Sequence, residues 1–254
     1  MNKQTFLTLL ATFALLFSFT FSCHAKGKDK AKHVVFIGLD GWGAYSLPKA
    51  DMPNVKKLME DGAYTLKKRS ALPSSSAINW ASMFMGAGPE LHGYTEWGSK
   101  TPELPSRVLN KNGIFPTVFQ LLRDARPEAE IGCLYEWEGI KYLVDTLSLS
   151  YHYHVADCNK TPKELGNMAS SYIKEKHPAL VAICYDGPDH TGHTAGHDTP
   201  EYYEKLKELD VYVGQIVQAV KDAGMLDDTI FILTSDHGGI DKGHGGKTMQ
   251  EMET

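Results

Sequence analysis

The sequence lacks a surplus of basic residues, a cysteine pattern for structural zinc, and internal repeats. Its 26 Lys and Arg against 31 Asp and Glu give a formal net charge of −5, which excludes a broad basic surface for nucleic-acid phosphates. None of its 4 cysteines has the CxxC spacing of a zinc knuckle. After the first 25 residues, no apolar run is long enough to span a bilayer. The composition, 42% hydrophobic and 22% charged, is that of one ordinary globular domain.

Residues 1–25 have the pattern of a secretory signal peptide. Lys3 provides a positive start, residues 6–21 are largely apolar, and the segment SCHA ends on a small residue, as signal-peptidase sites do. We therefore predict an exported protein, periplasmic or extracellular, with a basic tether over residues 26–32. A lipoprotein acylated at Cys23 is the less favoured alternative, because the residues before Cys23 make a poor recognition sequence.

Export also places the remaining cysteines in an oxidising compartment. Cys133 and Cys158 are the one pair that we consider for a disulfide. Cys184 lies inside an apolar run that predicts a buried strand, where a free thiol behaves as a small hydrophobic side chain.

From His33 to the C-terminus, apolar runs typical of buried strands alternate with helical patterns. Several helical segments begin with a proline in the first turn or with a threonine that can cap it. Continuous apolar strands that alternate with helices predict a mostly parallel central sheet with helices on both faces, a three-layer αβα fold in one domain over residues 33–254. The predicted strands are HVVFIGL from His33, Glu130–Trp137, Leu180–Tyr185 and Thr229–Thr234, and the predicted helices include those that begin at Pro53, Pro116, Pro162 and Pro200.

Acidic residues follow three of these strands at the point where each strand ends. Asp40 follows the first strand. Asp186 and Asp189 follow LVAICY, and Asp236 with His237 follows TIFILTS. The carboxyl ends of parallel strands lie along one edge of a sheet, where open α/β sheets bind their ligands. Three strands that end in acids, two of them with histidines nearby, favour a metal site over a coincidence of turn residues.

Histidines near these acids complete two sets of metal ligands. Asp189 and His193 are four residues apart, so on a helical turn or in a tight loop both can face one point. His244 lies between glycines, which let the backbone approach closely. Mixed oxygen and nitrogen ligands suit zinc, with manganese or iron as alternatives, and two ions about 3.5–4 Å apart can clamp both oxygens of a phosphoryl transfer. The first ligand set is Asp40, Asp236 and His237, and the second ligand set is Asp189, His193 and His244.

The segment ALPSSSAINWASMFMG offers a nucleophile for this chemistry. The apolar run NWASMFMG predicts one or two helical turns closed by a glycine, and the serines precede it. Free amide groups and the helix dipole favour an anion at such a helix start, and a serine hydroxyl bound to a metal ion would have a lowered pKa. A serine in this position can also simply cap the helix. The local sequence does not choose among Ser74, Ser75 and Ser76.

Several motifs, taken in order, resemble those of one known family. HVVFIGLDGWG, the serine before INW, PELHG, PDHTGH and SDHGG are similar to motifs of the alkaline phosphatase superfamily, nearest its nucleotide pyrophosphatase/phosphodiesterase branch. The resemblance extends from about residue 33 to the end of the chain. It implies an alkaline phosphatase-like catalytic domain that uses two divalent metal ions, zinc by preference.

The resemblance also assigns roles to individual residues. It implies that the first ligand set binds one zinc together with the nucleophile, and that Asp189 and His193 bind the other zinc with a later histidine. The family's nucleophile stands three residues before an asparagine that helps to hold the phosphoryl oxygens. This spacing selects Ser76 as the nucleophile and as a zinc ligand, with Asn79 as its partner.

The chain departs from the family pattern in three places. The family's nucleophile is often followed by an aromatic residue and a proline, whereas Ala77 and Ile78 stand here, and Trp80 replaces a common histidine. We therefore expect a different substrate pocket. The third zinc-binding histidine lies far downstream in the nucleotide branch but close behind SDHG in the phosphomutases, as His244 does here. Similar proteins continue past QEMET with a proline-led strand, so we expect the last sheet strand to be absent and the domain to be truncated at its C-terminus.

Together these features predict an exported, metal-dependent hydrolase of phosphate esters, of the type I phosphodiesterase/nucleotide pyrophosphatase kind. Ser76 would form a phosphoseryl intermediate. The expected partner is a small phosphate ester or nucleotide and not a nucleic-acid duplex, and the oligomeric state stays open. A phosphomonoesterase is the nearest alternative. A sulfatase would need an arginine-containing signature after the nucleophile, and a non-catalytic metal-binding surface protein is the alternative of another class.

Overall fold

The computed structural model describes residues 31–156 and 162–254. The predicted signal peptide, its alternative acylation site Cys23, most of the basic tether and Cys158 lie outside the described residues. Export and the nature of the leader therefore stay predictions.

Parallel strands form the central sheet of the described chain. They are β1 (His33–Leu39), β2 (Ile131–Tyr135), β3 (Tyr151–His154), β4 (Leu180–Tyr185) and β5 (Thr229–Thr234). Their order in the sheet is β3-β2-β4-β1-β5. Val35 of β1 pairs in parallel register with Val181 of β4 on one side and with Phe231 of β5 on the other. All the strand ends that carry predicted site residues therefore lie on one rim of the sheet.

The helices begin close to their predicted positions. The prolines predicted to open three of them lie in the first turns of the observed helices that span Pro53–Asp61, Pro162–Lys176 and Pro200–Asp222. The helix Val118–Ala125 begins two residues later than predicted, because Oγ1 of Thr117 accepts the amide of Gln120 at 3.2 Å and caps the helix there. The helices are α1 (Pro53–Asp61), α2 (Ser76–Met85), α3 (Pro89–His92), α4 (Val118–Ala125), α5 (Pro162–Lys176), α6 (Gly187–Ala195), α7 (Pro200–Asp222) and α8 (Met249–Met252).

Two hydrophobic cores lie on opposite faces of the sheet, because successive side chains of a strand point to opposite sides. On one face, Val181 of β4 belongs to a core with Leu165 of α5 and Leu209 of α7. On the other face, the next residue, Ala182, belongs to a core with Trp80 of α2. This is the three-layer αβα arrangement that the sequence predicts.

Cys133 is a free thiol, fully buried in β2. Burial raises the pKa of this thiol above its usual range, so it behaves as a small hydrophobic side chain. Cys158, its suggested disulfide partner, lies outside the described residues. Cys184 is also a buried free thiol, as expected for its position in β4.

Strand β5 lies at one edge of the sheet. Two of its side chains, Ile230 and Ile232, are 50% and 42% exposed. The expected absence of a further strand stays a prediction. Among the described residues, no helix has both the length and the apolar character needed to cross a bilayer.

Candidate metal centre and nucleophile

Acidic side chains follow four of the strands at the carboxyl rim of the sheet. Asp40 follows β1, Asp189 lies on α6 after β4, and Asp236 follows β5. Glu136 directly follows β2, and all four residues are buried, with exposures of at most 8%. Glu136 was not predicted as a site residue, because the predicted strand extended to Trp137, whereas the observed strand ends at Tyr135.

The first ligand set converges on a buried point. Nε2 of His237 lies 3.4 Å from Oδ1 of Asp40 and 3.3 Å from Oδ2 of Asp236. The ligand atoms of the three residues all lie within 4.8 Å of one another. Since β1 and β5 are paired, the sheet itself fixes the spacing of the two carboxylates. Two carboxylates and one imidazole at this spacing can hold a divalent cation.

Ser76, alone of the three candidate serines, contacts the first ligand set. Its Oγ lies 3.1 Å from Nε2 of His237. Oγ of Ser74 instead donates to the carbonyl of Gly246 at 2.7 Å, and Ser75 precedes α2 as its N-cap residue. Ser76 is the first residue of α2, where the helix dipole favours an anion. The role of Ser76 as nucleophile stays a prediction.

The second ligand set lies on α6 and on the loop after β5. Oδ2 of Asp189 is 3.2 Å from Nε2 of His193, and Oδ1 of Asp189 is 3.7 Å from Nε2 of His244. The sequence left open whether PDHTGH forms a helical turn or a tight loop, and the structure shows a helix of 9 residues. Residues four apart on a helix share a face, which brings Asp189 and His193 together.

All three histidines are oriented by a backbone carbonyl at Nδ1. The carbonyl oxygens belong to Gly238 for His237 at 2.7 Å, to Lys242 for His193 at 2.9 Å, and to Ser74 for His244 at 3.0 Å. A carbonyl oxygen only accepts, so Nδ1 of each ring carries the proton. In the neutral ring Nε2 then keeps its lone pair, which is the arrangement that metal-binding histidines use.

The two ligand sets adjoin each other. The rings of His237 and His244, one from each set, stack with centroids 3.8 Å apart and an interplanar angle of 20°. Carboxylate oxygens of Asp40, Asp186 and Asp189 also lie within 4.8 Å of one another. Two cations held by these sets would therefore be neighbours.

Other protein groups do not fully compensate the negative charge of the buried carboxylates. Burial raises the pKa of Asp40 well above its usual range, and the nearby carboxylates of Asp236 and Asp189 raise it further. Among the described residues, Oδ1 of Asp40, Oδ1 of Asp189 and Oδ2 of Asp236 are buried without a hydrogen-bond partner. Buried polar atoms are normally paired, and bound cations reverse the repulsion among acids. The residues present therefore fit divalent metal ions.

The charges of Asp189 and His193 partly compensate each other. Burial raises the pKa of Asp189, but the hydrogen bond from His193 and the nearby His237 and His244 outweigh it, so the pKa falls to about 2. The same hydrogen bond raises the pKa of His193 to about 9. Without metal, this pair therefore exists as a carboxylate and an imidazolium.

Hydrogen bonds from the backbone and from Trp80 orient the first ligand set. Nε1 of Trp80 donates to Oδ2 of Asp40 at 2.8 Å, which leaves Oδ1 for a metal ion. The amide of Gly41 donates to Oδ1 of Asp236 at 3.1 Å. Gly38 is required beneath the indole, because a Cβ there would lie 2.3 Å from the ring. Trp80 is fully buried and orients Asp40, and the expected difference in the substrate pocket stays a prediction.

Asn79 is engaged with the loop before α2. Its Oδ1 accepts the amide of Ala71 at 2.7 Å. Its Nδ2 donates to the carbonyls of Ala71, Pro73 and Ser75 at 3.2, 3.3 and 3.0 Å. In this structure Asn79 therefore fixes the backbone that leads into Ser76. Its predicted contact with phosphoryl oxygens stays a prediction.

His197 packs behind the second ligand set. Its buried ring lies between Gly192 and Gly239, where a Cβ on either glycine would come within 2.2 Å of Nε2. Nε2 is 4.0 Å from Oδ1 of Asp189. Burial lowers the pKa of His197 to about 4, so the ring stays neutral at physiological pH.

The sequence also matches a known protein family. A sequence model of the family described as "Type I phosphodiesterase / nucleotide pyrophosphatase" matches residues 34–245. Among curated proteins, the "Bis(5'-adenosyl)-triphosphatase enpp4" of Mus musculus is 26% identical over 221 residues, which covers 83% of this chain and 48% of that protein. The chain thus spans about half the length of this relative.

Solved structures share the fold. Murine ectonucleotide pyrophosphatase/phosphodiesterase 5, as an inactive variant in complex with AMP, matches with a TM-score of 0.66 at 19% identity, over 82% of this chain and 57% of that chain. A 2-O GAG sulfatase matches with a TM-score of 0.67 at 12% identity, over 88% of this chain and 63% of that chain. At these identities the likeness shows the fold alone, and it confirms the predicted alkaline phosphatase-like α/β fold.

Proposed function

The chain belongs to the type I phosphodiesterase/nucleotide pyrophosphatase family, and on that premise we propose that it is an exported, metal-dependent hydrolase of phosphodiester or pyrophosphate bonds. The observation that carries the proposal is the position of Ser76. Its Oγ contacts His237 at 3.1 Å, at the first residue of a helix and beside two adjoining ligand sets.

The two ligand sets, with Ser76, would hold two divalent cations. Carboxylate and imidazole donors suit zinc best. When bound, the cations supply positive charge that lowers the pKa of the serine hydroxyl and neutralises the phosphoryl oxygens.

Ser76 then acts as the nucleophile. Its Oγ gives up its proton and forms a bond to phosphorus, while the bond from phosphorus to the leaving oxygen breaks. The leaving oxygen takes the bonding electron pair and then a proton. Water hydrolyses the resulting phosphoseryl ester by a second displacement and returns a proton to Oγ. The amide dipoles at the start of α2 stabilise the phosphoryl oxygens during both steps.

Nucleotides are the proposed substrate class. The mouse relative is named as a bis(5'-adenosyl)-triphosphatase, and murine ectonucleotide pyrophosphatase/phosphodiesterase 5 has been solved in complex with AMP. The proposed position outside the cytoplasm follows from the signal-peptide pattern of residues 1–25.

Replacing the nucleophile tests the proposal. We expect Ser76→Ala to abolish hydrolysis of bis-p-nitrophenyl phosphate while zinc content, measured by mass spectrometry, stays near that of the unmodified protein. Ser75→Ala is the matched control, because Ser75 makes no side-chain capping bond and is not part of either ligand set. Turnover retained in Ser76→Ala would overturn the assignment.

A substrate panel separates the alternatives. A phosphomonoesterase would prefer p-nitrophenyl phosphate to the diester, and a sulfatase would cleave p-nitrophenyl sulfate. The likeness to a sulfatase structure concerns the fold, so it does not favour that activity. Zinc binding without turnover of any of the three esters would favour a non-catalytic metal-binding protein.

A further inference from the structure

Glu136 is a buried acid that neither ligand set uses. It is 4% exposed and stands between β2 and the start of α6. Its backbone is held on both sides, because its amide donates to the carbonyl of Cys184 at 3.1 Å and its carbonyl is 2.9 Å from Nε2 of His154. The side chain therefore projects from a fixed point on the rim.

The side chain of Glu136 caps α6 from a neighbouring strand. Its Oε2 accepts the amide of Asp186, the residue before the helix, at 2.8 Å. The amide of Gly187, the first helical residue, also stabilises the carboxylate. Asp186 itself forms no side-chain capping bond to the helix. A helix start leaves its first amides without partners within the helix, so Glu136 supplies what the helix's own sequence does not.

Burying this acid is costly. Burial raises the pKa of Glu136 to about 8, even though the amide of Asp186 favours the charged form. Its second oxygen, Oε1, is buried without a hydrogen-bond partner among the residues that the structure describes. Packing alone therefore does not explain a buried carboxylate at residue 136.

The helix that Glu136 caps carries two members of the second ligand set. Asp189 lies in its first turn and His193 in its last. The third member, His244, lies on a separate loop after β5. The distance between Asp189 and His244 thus depends on where α6 begins relative to the sheet. The hydrogen bond from the Asp186 amide to Glu136 links this start to the end of β2, a strand that neighbours β4.

We propose that Glu136 is a positioning residue that fixes the start of α6 and thereby holds Asp189 and His193 in place for the second metal ion. The inference rests on the proposed metal centre. The reach of the side chain is the property that matters, because the bond to the Asp186 amide sets the helix position. Contacts that hold metal ligands in place typically change metal affinity about 10–100-fold when removed.

Two variants separate reach from charge. Glu136→Asp keeps the carboxylate but shortens the side chain by one carbon–carbon bond, about 1.5 Å, so the bond to Asp186 is lost. Glu136→Gln keeps an acceptor oxygen at the same reach. Glu130→Asp is the matched control, since Glu130 lies just before the other end of β2, where its Oε1 accepts the hydroxyl of Tyr172 at 2.8 Å.

The measurement is zinc binding to the full chain, by titration against a chromophoric chelator. We expect two zinc ions in the unmodified protein. In Glu136→Asp one of them should bind at least about tenfold more weakly, while Glu136→Gln and Glu130→Asp stay within about threefold of the unmodified protein. Activity at limiting zinc should fall through kcat with KM unchanged, and excess zinc should restore it.

The outcomes distinguish this inference from the proposed function. If the unmodified protein binds two zinc ions and turns over the diester, but Glu136→Asp binds zinc normally, the positioning role is wrong and the proposed function stands. If Glu130→Asp weakens zinc binding as much as Glu136→Asp does, the effect is a general loss of stability and the role is also wrong. An unmodified protein that binds no zinc would overturn both.

Discussion

The two ligand sets differ in how the fold holds them. In the first set, the side chains of Asp40, Asp236 and His237 are at most 3% exposed. The two acids follow paired central and edge strands, whose spacing is fixed by backbone hydrogen bonds. In the second set, the side chain of His193 is 46% exposed and lies on a helix of 9 residues. A short helix depends on its caps and packing. The first set is therefore the rigid one and the second the adjustable one.

The largest expected effect comes from the rigid set. His237→Ala removes the residue that contacts both acids and Ser76. We expect turnover of bis-p-nitrophenyl phosphate to fall about 10³-fold or more, because several kcal/mol of charge stabilisation are lost. Excess zinc should not restore it, since the remaining acids cannot rebuild the site. Turnover within tenfold of the unmodified protein would show that this set is not central.

The adjustable set should respond differently. His193→Ala leaves Asp189 and His244 in place. We expect the affinity for one of two zinc ions to fall about 10²-fold, with turnover recovered at excess zinc. The measurement is activity against free zinc concentration in a metal buffer. If His193→Ala and His237→Ala behave alike, the contrast between the two sets is wrong.

His92 lies outside both ligand sets, and its pKa is shifted in the opposite direction to the pKa of His193. Burial lowers the pKa of His92 to about 4, and its Nδ1 accepts the amide of Tyr94 at 3.1 Å, a bond that protonation would break. An unfolded histidine has a pKa near 6.5. The folded state therefore binds fewer protons, and the stability from this residue is present above pH 6.5 and lost as the pH falls through that value towards 4.

The expected loss is at most roughly 3 kcal/mol in the free energy of unfolding, from a shift of about 2.5 pKa units. Urea unfolding of the chelator-treated protein at pH 7.5 and pH 4.5 measures it. His92→Gln, which cannot be protonated, should lose less stability over this range. An equal loss in both proteins would show that His92 is not a source of the acid sensitivity.

The smallest expected effect concerns substrate binding near Ser76. The carbonyl of Trp97 accepts the amide of Ala77 at 3.1 Å, and the Trp97 indole is 67% exposed. Stacking of a base on an aromatic side chain contributes about 1–3 kcal/mol. We expect Trp97→Ala to raise KM for a dinucleotide substrate about tenfold with kcat unchanged, while KM for bis-p-nitrophenyl phosphate changes less. An equal change for both substrates would exclude a contact specific to nucleotides.

Much of the fold could be predicted from the sequence, because buried parallel strands are continuous apolar runs with acids directly after them. Asp40 and Asp236 were found from this signal alone. Glu136 also directly follows a strand, but the predicted strand ran two residues too far, to Trp137, and so included it. Strand ends are set by tertiary hydrogen bonds, here from the Glu136 amide to Cys184, that local sequence does not show.

Other parts of the site depended on contacts between distant segments. The choice of Ser76 from three adjacent serines came from a resemblance, since only its contact with His237, 161 residues away, separates it from its neighbours. The contact between Trp80 and Asp40 could not be predicted for the same reason. A tryptophan on an apolar helix gives no sign that its Nε1 reaches an aspartate 40 residues earlier.

The proposed two-metal centre can be tested most directly by anomalous diffraction at the zinc edge from crystals of the zinc-loaded protein. It predicts two adjacent zinc peaks, one bound by the first ligand set with Ser76 and the other by the second ligand set. A single peak, or zinc bound away from Asp40, Asp189 and Asp236, would contradict it.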